Sequence, residues 1–439
     1  MGNVSIMPAA LADSIPLPDG ERVARELAEA RQGFGRKIVV LDDDPTGVQT
    51  VHDVPVYTDW RRETLARGLS EPGSMFFVLT NSRGFTAEET ETLRRTLEEQ
   101  LPVRYDGEII MPYFQEGGRL TIGNVHYVKT GDRLVPAGMT EFARDTTFAY
   151  SASDLTDWCE ERTGGRYPAG GVTVLSLEEL RGLEYGAMLE KLMAVRDFGK
   201  VVVNAADDRD VEVFVTVLLR AIAAGKEFLF RCAAGLVRVL GGVDRRPLLT
   251  RAELRPEDSQ LGGLVIVGSH VKKTTDQLEC LLAADLALYP VCFDVETVLV
   301  EGGLERERDR VLREAEQAIR SGGTAVVYTS RKVLRAREDS AQENLNLSVR
   351  ISRALTSVVE KLTVRPGFLV AKGGITSSDV GIRALGVRRA WVLGQAAPGV
   401  PVWRTGAESG FPGLSYVIFP GNVGDVNTLR DVVQKLMEP

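Results

Sequence analysis

Several residue types that build common functional sites are scarce in this sequence. The 439 residues include four cysteines, none in a Cys-x-x-Cys spacing, so neither a disulfide framework nor a zinc site is indicated. Three histidines are too few for a histidine-rich metal centre. Basic residues do not predominate, because the net charge is −8, and this argues against a nucleic-acid-binding face.

Long apolar runs are missing as well. No stretch approaches the roughly 20 apolar residues that a membrane-spanning helix needs. The N-terminal segment carries Asp13, Pro16, Pro18 and Asp19 instead of the apolar centre of a signal peptide. We therefore expect a cytoplasmic protein that binds neither nucleic acid nor membranes, and a homo-oligomer remains open.

The length of the chain favours two domains over one. Short apolar runs that end at Gly, Asp, Thr or Ser alternate with helical segments, a pattern typical of parallel sheets with helices on both faces. We predict an α/β fold of two doubly wound domains with mainly parallel sheets and the active site in the cleft between them. The predicted divisions are an N-terminal extension (residues 1–35), a substrate-binding domain (36–245), a linker (246–260) and a nucleotide-binding domain (261–439).

One segment interrupts this alternation. Residues 112–153 are rich in Gly, Thr and Tyr and show little helical periodicity. Long insertions inside compact domains are usually functional or disordered, and the aromatic content favours order. We expect a long ordered excursion along one edge of the first domain.

Acidic side chains follow the first apolar run, residues 37–41. Asp42, Asp43 and Asp44 precede Pro45, Thr46 and Gly47. In open α/β sheets ligands bind outside the carboxyl ends of the strands, where carboxylates can hold the hydroxyl groups of a polyol. A turn capped by an Asp side chain is the structural alternative. The cluster is therefore a candidate site for binding hydroxyl groups.

A second polar cluster, Thr80-Asn81-Ser82-Arg83, follows the apolar run 75–79. The planar guanidinium of Arg83 suits a carboxylate ligand. The alternative is an exposed arginine that pairs with the glutamates of the next helix.

Three glycine-containing turns follow apolar runs in the C-terminal half, at residues 268–270, 373–376 and 420–425. Glycines admit close approach of the backbone, and a helix start offers N–H groups to a phosphate. None of the turns is a Walker motif, since no Lys stands at the required position. Together they predict a nucleotide cradle, although each could be an ordinary turn. His270 and Lys272 could approach phosphates or simply be exposed capping residues.

The order of these segments resembles that of the four-carbon acid sugar kinases. The resemblance extends over about residues 36–437. It rests on the segments 39–56, 79–83, 116–128, 140–145, 267–275, 372–379 and 419–424.

This resemblance implies an ATP-dependent kinase for threonate, erythronate or a 3-oxo-tetronate, with Mg²⁺ implied by ATP use and no metal ligands identified. It implies substrate contacts from Asp44, Asn81, Ser82 and Arg83, and a catalytic base at Asp43 or Asp44. The implied ATP contacts are Ser269, Gly373, Gly374, Ile375, Thr376 and Gly421.

One family feature is absent. Members of the family usually carry a strand that ends in Ser-Arg-x-Asp-Ser-Thr-Leu-Arg-Gly, and residues 96–110 lack this motif. We therefore expect a weakened substrate site and poor turnover of tetronates. A non-catalytic nucleotide-binding or regulatory protein is the alternative hypothesis, and a dehydrogenase is disfavoured because no GxGxxG follows the first strand.

Overall fold

The computed structural model describes residues 4–82, 87–100, 103–144, 149–255, 260–331 and 341–438. The chain divides into two compact units. The first comprises Met1–Ile38 and Glu91–Asp244, and the second comprises Val39–Thr90 and Arg245–Pro439. Within the described ranges, no helix has both the length and the apolar character that crossing a membrane requires.

Strands and helices alternate through most of the described chain, as the sequence predicts. The strands are β1 (Met7–Pro8), β2 (Ile38–Asp42), β3 (Val54–Tyr57), β4 (Met75–Leu79), β5 (Gly107–Met111), β6 (Arg119–Ile122), β7 (Val125–Thr130), β8 (Arg133–Pro136), β9 (Thr173–Leu175), β10 (Gly199–Val203), β11 (Phe228–Cys232), β12 (Leu264–Val267), β13 (Leu288–Phe293), β14 (Thr324–Thr329), β15 (Leu369–Lys372), β16 (Arg389–Ala397), β17 (Val400–Thr405) and β18 (Ser415–Phe419). The α-helices are α1 (Ala10–Ser14), α2 (Gly20–Arg31), α3 (Arg62–Ser70), α4 (Ala87–Gln100), α5 (Leu155–Arg162), α6 (Leu177–Arg181), α7 (Tyr185–Ala194), α8 (Asp208–Ala223), α9 (Ala234–Gly241), α10 (Arg251–Leu254), α11 (Lys272–Leu282), α12 (Gly303–Arg320), α13 (Ala341–Glu360), α14 (Gly374–Asp379) and α15 (Thr428–Met437).

The first unit is built on a parallel sheet with the strand order β11-β5-β10-β9. Its strand β10 is apolar and buried, as expected of a central parallel strand. Helix α8 begins at a capping box. The Asp207 side chain accepts the backbone N–H of Asp210, and the Asp210 side chain accepts the backbone N–H of Asp207. Asp210 is fully buried and pairs with Arg181 at 2.9 Å.

The excursion predicted at residues 112–153 contributes β6, β7 and β8 to a small antiparallel sheet, in the order β1-β8-β7-β6, and β1 comes from the N-terminal segment. Gly123 and Asn124 join β6 to β7, and both have positive φ, +56° and +67°. Two consecutive residues in this region form the tight turn that matches the twist of a hairpin. The excursion therefore contains a β-meander at residues 119–136, which short 3-10 turns follow at Ala137–Met139 and Glu141–Arg144.

The second unit is built on a ten-stranded sheet in the order β13-β14-β12-β15-β18-β17-β16-β3-β4-β2. Its pairs are parallel from β13 to β18 and again between β3 and β4, and they are antiparallel from β18 to β3. Strands β12, β15 and β18 are buried along their whole length. The mixed α/β architecture with largely parallel sheets and two units matches the predicted fold class.

The division of the chain differs from the predicted one in residues 39–90. The sequence analysis placed them in a substrate-binding domain at 36–245, whereas the structure groups them with the C-terminal unit. The reason is the pairing of β3 with β16, in which Val56 lies opposite Ala390. This pairing joins segments more than 300 residues apart, so no local sequence pattern predicts it.

The segments predicted as an extension and a linker are packed against the units. Helix α2 lies in the predicted extension, and its Val23 is fully buried in the first unit's core. Leu249 and Leu254 lie in the core of the second unit, and the Leu249 N–H donates to the Gln395 carbonyl at 2.8 Å. The predicted linker at 246–260 is thus part of the second unit where it is described.

Candidate functional site

Three adjacent parallel strands of the second unit end at the same level. Lys372 of β15 lies opposite Val267 of β12 on one side and Phe419 of β18 on the other. The turns that follow these strands are residues 268–270, 373–376 and 420–425, called the three strand-end turns below. The structure therefore places the three glycine-containing turns side by side on one sheet edge.

The three strand-end turns pack closely because glycines leave room between them. Gly373 has a φ of +119°, which disfavours other residues, and a β-carbon there would lie 3.0 Å from Ser269 Cβ. A β-carbon at Gly268 would collide with Thr376 Oγ1, and one at Gly421 would lie 3.6 Å from Ser269 Oγ. The turns thus present mainly backbone at this edge.

Helix α14 fixes the middle turn. The Ser377 hydroxyl donates to the Ala371 carbonyl at 2.8 Å, and the Tyr416 hydroxyl donates to the Ser377 carbonyl at 2.6 Å. Thr376 is buried, whereas Ile375 is 75% exposed. A π-helical turn at Val380–Ala384 continues the helix. Ile375 can therefore contribute its backbone to the site while its side chain projects outward.

The carboxylate of Asp44 lies against this turn. Asp44 is only 7% exposed, and its Oδ1 accepts the backbone N–H of Thr46 at 2.8 Å. Its Oδ2 lies 3.0 Å from the position that a β-carbon on Gly374 would occupy. Asp43 is exposed. Of the two aspartates that the sequence left as alternatives, Asp44 is the one that faces the 373–376 turn.

The contact between Asp44 and Gly374 reveals the shape of the sheet. Six strand-to-strand steps lead from β15 to β2 in the strand order. At about 4.8 Å a step, a flat sheet would hold these strands roughly 29 Å apart. The ten-stranded sheet must therefore curl, so that the segment after its edge strand β2 meets the 373–376 turn.

The second polar cluster reaches the same helix. Asn81 has a φ of +53°, and its Oδ1 accepts the Ser378 hydroxyl at 2.6 Å. Ser82 Oγ lies 3.0 Å from Thr80 Oγ1, while the Thr80 backbone N–H donates to the Asp42 carbonyl at 2.7 Å. Asn81 is thus held beside α14. Arg83 lies outside the described residues.

Lys372, the last residue of β15, is a site residue that the sequence analysis missed. It is fully buried, and its Nζ donates to the carbonyls of Pro420 at 2.6 Å and Gly421 at 3.4 Å. Its ammonium lies 4.1 Å from the centre of the Phe419 ring. Burial, with a smaller effect of Lys273, lowers the pKa of Lys372 to about 7. A charged residue at the end of a buried apolar strand was the available signal.

The other basic side chains near the three strand-end turns have local roles. Lys272 forms an exposed ion pair with Asp276 at 2.9 Å. His270 Nε2 lies 3.4 Å from Thr329 Oγ1, and burial, then the charge of Arg331, lowers the pKa of His270 below its usual value. Arg331 donates from Nη1 to the Ser269 carbonyl at 2.5 Å. Neither side chain caps helix α11, whose N-cap residue is Val271 without a side-chain hydrogen bond.

The first unit contains a separate charged cavity of about 180 Å³, lined in part by Trp158 and Arg162. Glu108 pairs there with Lys200 at 2.7 Å and with Arg231 at 3.0 Å. Burial alone would raise the pKa of Glu108, but the hydrogen bonds and charges of the two cations hold it below its usual value. The main charges of this cavity therefore pair with one another.

Comparison with protein families matches both parts of the chain. Residues 86–240 match the model of a sugar-binding N-terminal domain, and residues 264–429 match that of a nucleotide-binding C-terminal domain. All three strand-end turns fall inside the second match, whereas Asp44 and Asn81 precede the first. A search of curated proteins gives no match.

Two solved structures share the fold. A Salmonella typhimurium LT2 protein, provisionally described as a tRNA synthase, is 16% identical with a TM-score of 0.61, and the match covers 91% of this chain and 98% of that one. A Haemophilus influenzae protein of the DUF1537 family is 17% identical with a TM-score of 0.57, covering 91% and 100%. With a sugar-binding and a nucleotide-binding domain, the chain is a sugar-kinase-like protein whose architecture fits the four-carbon acid sugar kinase family.

Proposed function

We propose that this chain is an ATP-dependent kinase that phosphorylates a hydroxyl group of a four-carbon acid sugar of the threonate, erythronate or 3-oxo-tetronate class. The observation that supports this most strongly is the approach of the Asp44 carboxylate to Gly374. A single unit then offers an anion-binding backbone and a buried carboxylate side by side. Phosphoryl transfer needs these two elements, one to hold the phosphates and one to orient the attacking hydroxyl.

In this proposal the three strand-end turns hold the nucleotide. Backbone N–H groups of Gly374, Ile375 and Thr376 bind the phosphates, and Ser269 and Gly421 border them. The N–H of Gly373 donates to the Phe419 carbonyl at 2.8 Å, so Gly373 lies against the nucleotide without donating to it. Tight packing at Gly268 and Gly373 keeps these turns rigid, so little conformational entropy is lost on binding. Phosphoryl transfer depends mainly on such positioning and on charge neutralisation.

Asp44 then acts as the catalytic base. It accepts the proton of the substrate hydroxyl while that oxygen attacks the γ-phosphorus, as carboxylates do in other kinases. Asn81 and Ser82 form hydrogen bonds to the acid sugar, and Arg83 binds its carboxylate. The hydrogen bond from Ser378 to Asn81 Oδ1 leaves the amide N–H₂ of Asn81 as the group for substrate oxygens.

The missing Ser-Arg-x-Asp-Ser-Thr-Leu-Arg-Gly motif makes this a kinase with weak substrate capture. Each hydrogen bond to a charged group is worth roughly 1.5–3 kcal/mol, so losing two of them weakens binding by about a hundredfold or more. Asp106 lies in the segment that lacks the motif, but it is a poor replacement for the lost substrate contacts. Its carboxylate already accepts hydrogen bonds from Lys226 Nζ at 3.1 Å and from the Glu227 N–H at 2.9 Å.

Mg²⁺ is expected to arrive with the nucleotide. Within the described part of the chain, no group of three or more His, Cys, Asp and Glu side chains is arranged to hold a metal ion. Mg²⁺ in kinases usually keeps several waters and relies on the phosphates for part of its coordination. We therefore assign it no separate protein cage.

A coupled ADP-release assay over threonate, erythronate and 3-oxo-tetronate tests the proposal, with the full chain and ATP–Mg²⁺. We expect slow, substrate-dependent release that Asp44→Asn abolishes and that Asp43→Asn, the matched control, retains. Release at the background rate with every acid, while ATP still binds, would favour the non-catalytic nucleotide-binding protein. Absence of ATP binding would refute the proposal altogether.

A further inference from the structure

Lys372 lies directly before one of the three strand-end turns and contacts another. It ends β15, the middle strand of the three, and Gly373 follows it directly in the chain. Its Nζ donates to two carbonyls of the 420–425 turn, Pro420 and Gly421. Gly421 in turn borders Ser269 of the 268–270 turn. The side chain thus links the start of the 373–376 turn to the 420–425 turn, which borders the 268–270 turn.

The ammonium group has no counter-charge in the part of the chain that the structure describes. Its contacts are two neutral carbonyls and the Phe419 ring on β18, and its neighbour on β12 is Val267. The one charged group that acts on it is Lys273 of α11, which repels it. Buried charges are normally paired, because an unpaired one loses its hydration without compensation.

We propose that Lys372 is a positioning residue and the buried counter-charge for the nucleotide's phosphates, so that nucleotide binding draws a proton onto its amine. The inference rests on the proposed function. Its physical basis is that a polyanion bound on the three strand-end turns supplies a negative counter-charge for the Lys372 ammonium. In its protonated form the lysine also holds Pro420 and Gly421 in place under the phosphates, because an ammonium donates to carbonyls more strongly than a neutral amine.

The consequence is a definite pH dependence. In the free protein the pKa of Lys372 is about 7, and a bound polyanion raises it, since an opposite charge favours the protonated form. A ligand that binds the protonated form better loses affinity as the pH rises through the pKa that Lys372 has in the free protein. If the bound lysine stays protonated at pH 8, affinity falls about fivefold between pH 7 and pH 8, and binding at pH 8 takes up close to one proton.

The test measures binding of ADP–Mg²⁺ to the full chain by titration calorimetry at pH 8, in two buffers of different ionisation enthalpy. Phosphate groups, with a second pKa of about 6, are ionised at this pH, so the proton taken up belongs to the protein. Dissociation constants from pH 6.5 to 9 complete the measurement. Lys372→Met removes the titrating group with little change of volume, and His270→Gln removes the other nearby group with a lowered pKa.

We expect wild type and His270→Gln to take up close to one proton on binding ADP–Mg²⁺. Lys372→Met should take up none. It should also bind ADP more weakly at pH 7, and its dissociation constant should change less with pH. Wild type that binds ADP without proton uptake would overturn the inference and leave the proposed function intact, and this holds even if Lys372→Met does not fold. Proton uptake that His270→Gln abolishes would also overturn it. If wild type binds no nucleotide at any pH, both the proposed kinase function and the proposed role of Lys372 are refuted.

Discussion

Replacing Gly374 with valine is a sharp perturbation of the 373–376 turn. The backbone of Gly374 does not have a positive φ, so valine causes no strain of that kind. Its β-carbon, however, would lie 3.0 Å from Asp44 Oδ2, closer than ordinary van der Waals contact. Either the carboxylate or the turn must move, while the buried core around β15 is unchanged.

The expected effect is on nucleotide affinity. Losing one hydrogen bond to a phosphate removes roughly 1.5–3 kcal/mol, which corresponds to a dissociation constant about 10 to 150 times higher. Titration calorimetry with ATP–Mg²⁺ measures it, and circular dichroism checks the fold. Gly73→Val is the matched control, because the nearest atom to its β-carbon, the Met75 carbonyl oxygen, is 3.9 Å away.

A double substitution separates two causes of this effect. If the collision with Asp44 dominates, Gly374→Val costs little further affinity in an Asp44→Ala background. If the valine blocks the phosphates directly, its cost stays the same in both backgrounds. A folded Gly374→Val protein whose affinity for ATP stays within about twofold of wild type refutes the role of this glycine.

Three further predictions follow from the same geometry. ATP–Mg²⁺ at millimolar concentration should raise the melting temperature, because a ligand that binds only the native state stabilises it; an unchanged melting curve would count against the cradle. Asp44→Asn should lower turnover by about 10²–10⁴-fold with little change in the dissociation constant of ATP, as expected of a general base, whereas a loss of ATP binding alone would contradict this role. The pKa of Lys372 is about 7 in the folded chain and higher in the unfolded chain, so the unfolded state binds more protons above pH 7. Lys372 therefore makes the free energy of unfolding of the nucleotide-free protein rise with pH from about 7 to 10. Chemical denaturation of wild type and Lys372→Met over this range should therefore differ in slope, and parallel curves would show that the pKa is not lowered.

The sequence predicted the parts of the site that are local. An apolar run followed by Asp or Gly marks the carboxyl end of a parallel strand, so Asp44 and the three strand-end turns were found without a structure. Gly123-Asn124 carried a hairpin signal as well, but the sequence analysis predicted only an ordered excursion here and named no strands. Strand ends are visible in sequence because they need particular residues.

The rest depends on contacts between distant segments. Pairing of β3 with β16 moves residues 39–90 into the C-terminal unit, and curling of the sheet brings Asp44 to Gly374. Neither leaves a periodic pattern in the chain. Lys372 was overlooked because the sequence does not show its surroundings, which are two carbonyls and an aromatic ring with no carboxylate among the residues that the structure describes.

The central claim is that this chain transfers a phosphoryl group to a four-carbon acid sugar, with Asp44 as the base. Phosphorus NMR tests it most directly, because it detects the product itself after long incubation of the full chain with ATP–Mg²⁺ and threonate, erythronate or 3-oxo-tetronate. The account predicts a new phosphomonoester resonance with at least one acid, formed slowly together with ADP and absent with Asp44→Asn. ATP that binds the protein while no phosphomonoester forms from any of these acids would contradict it.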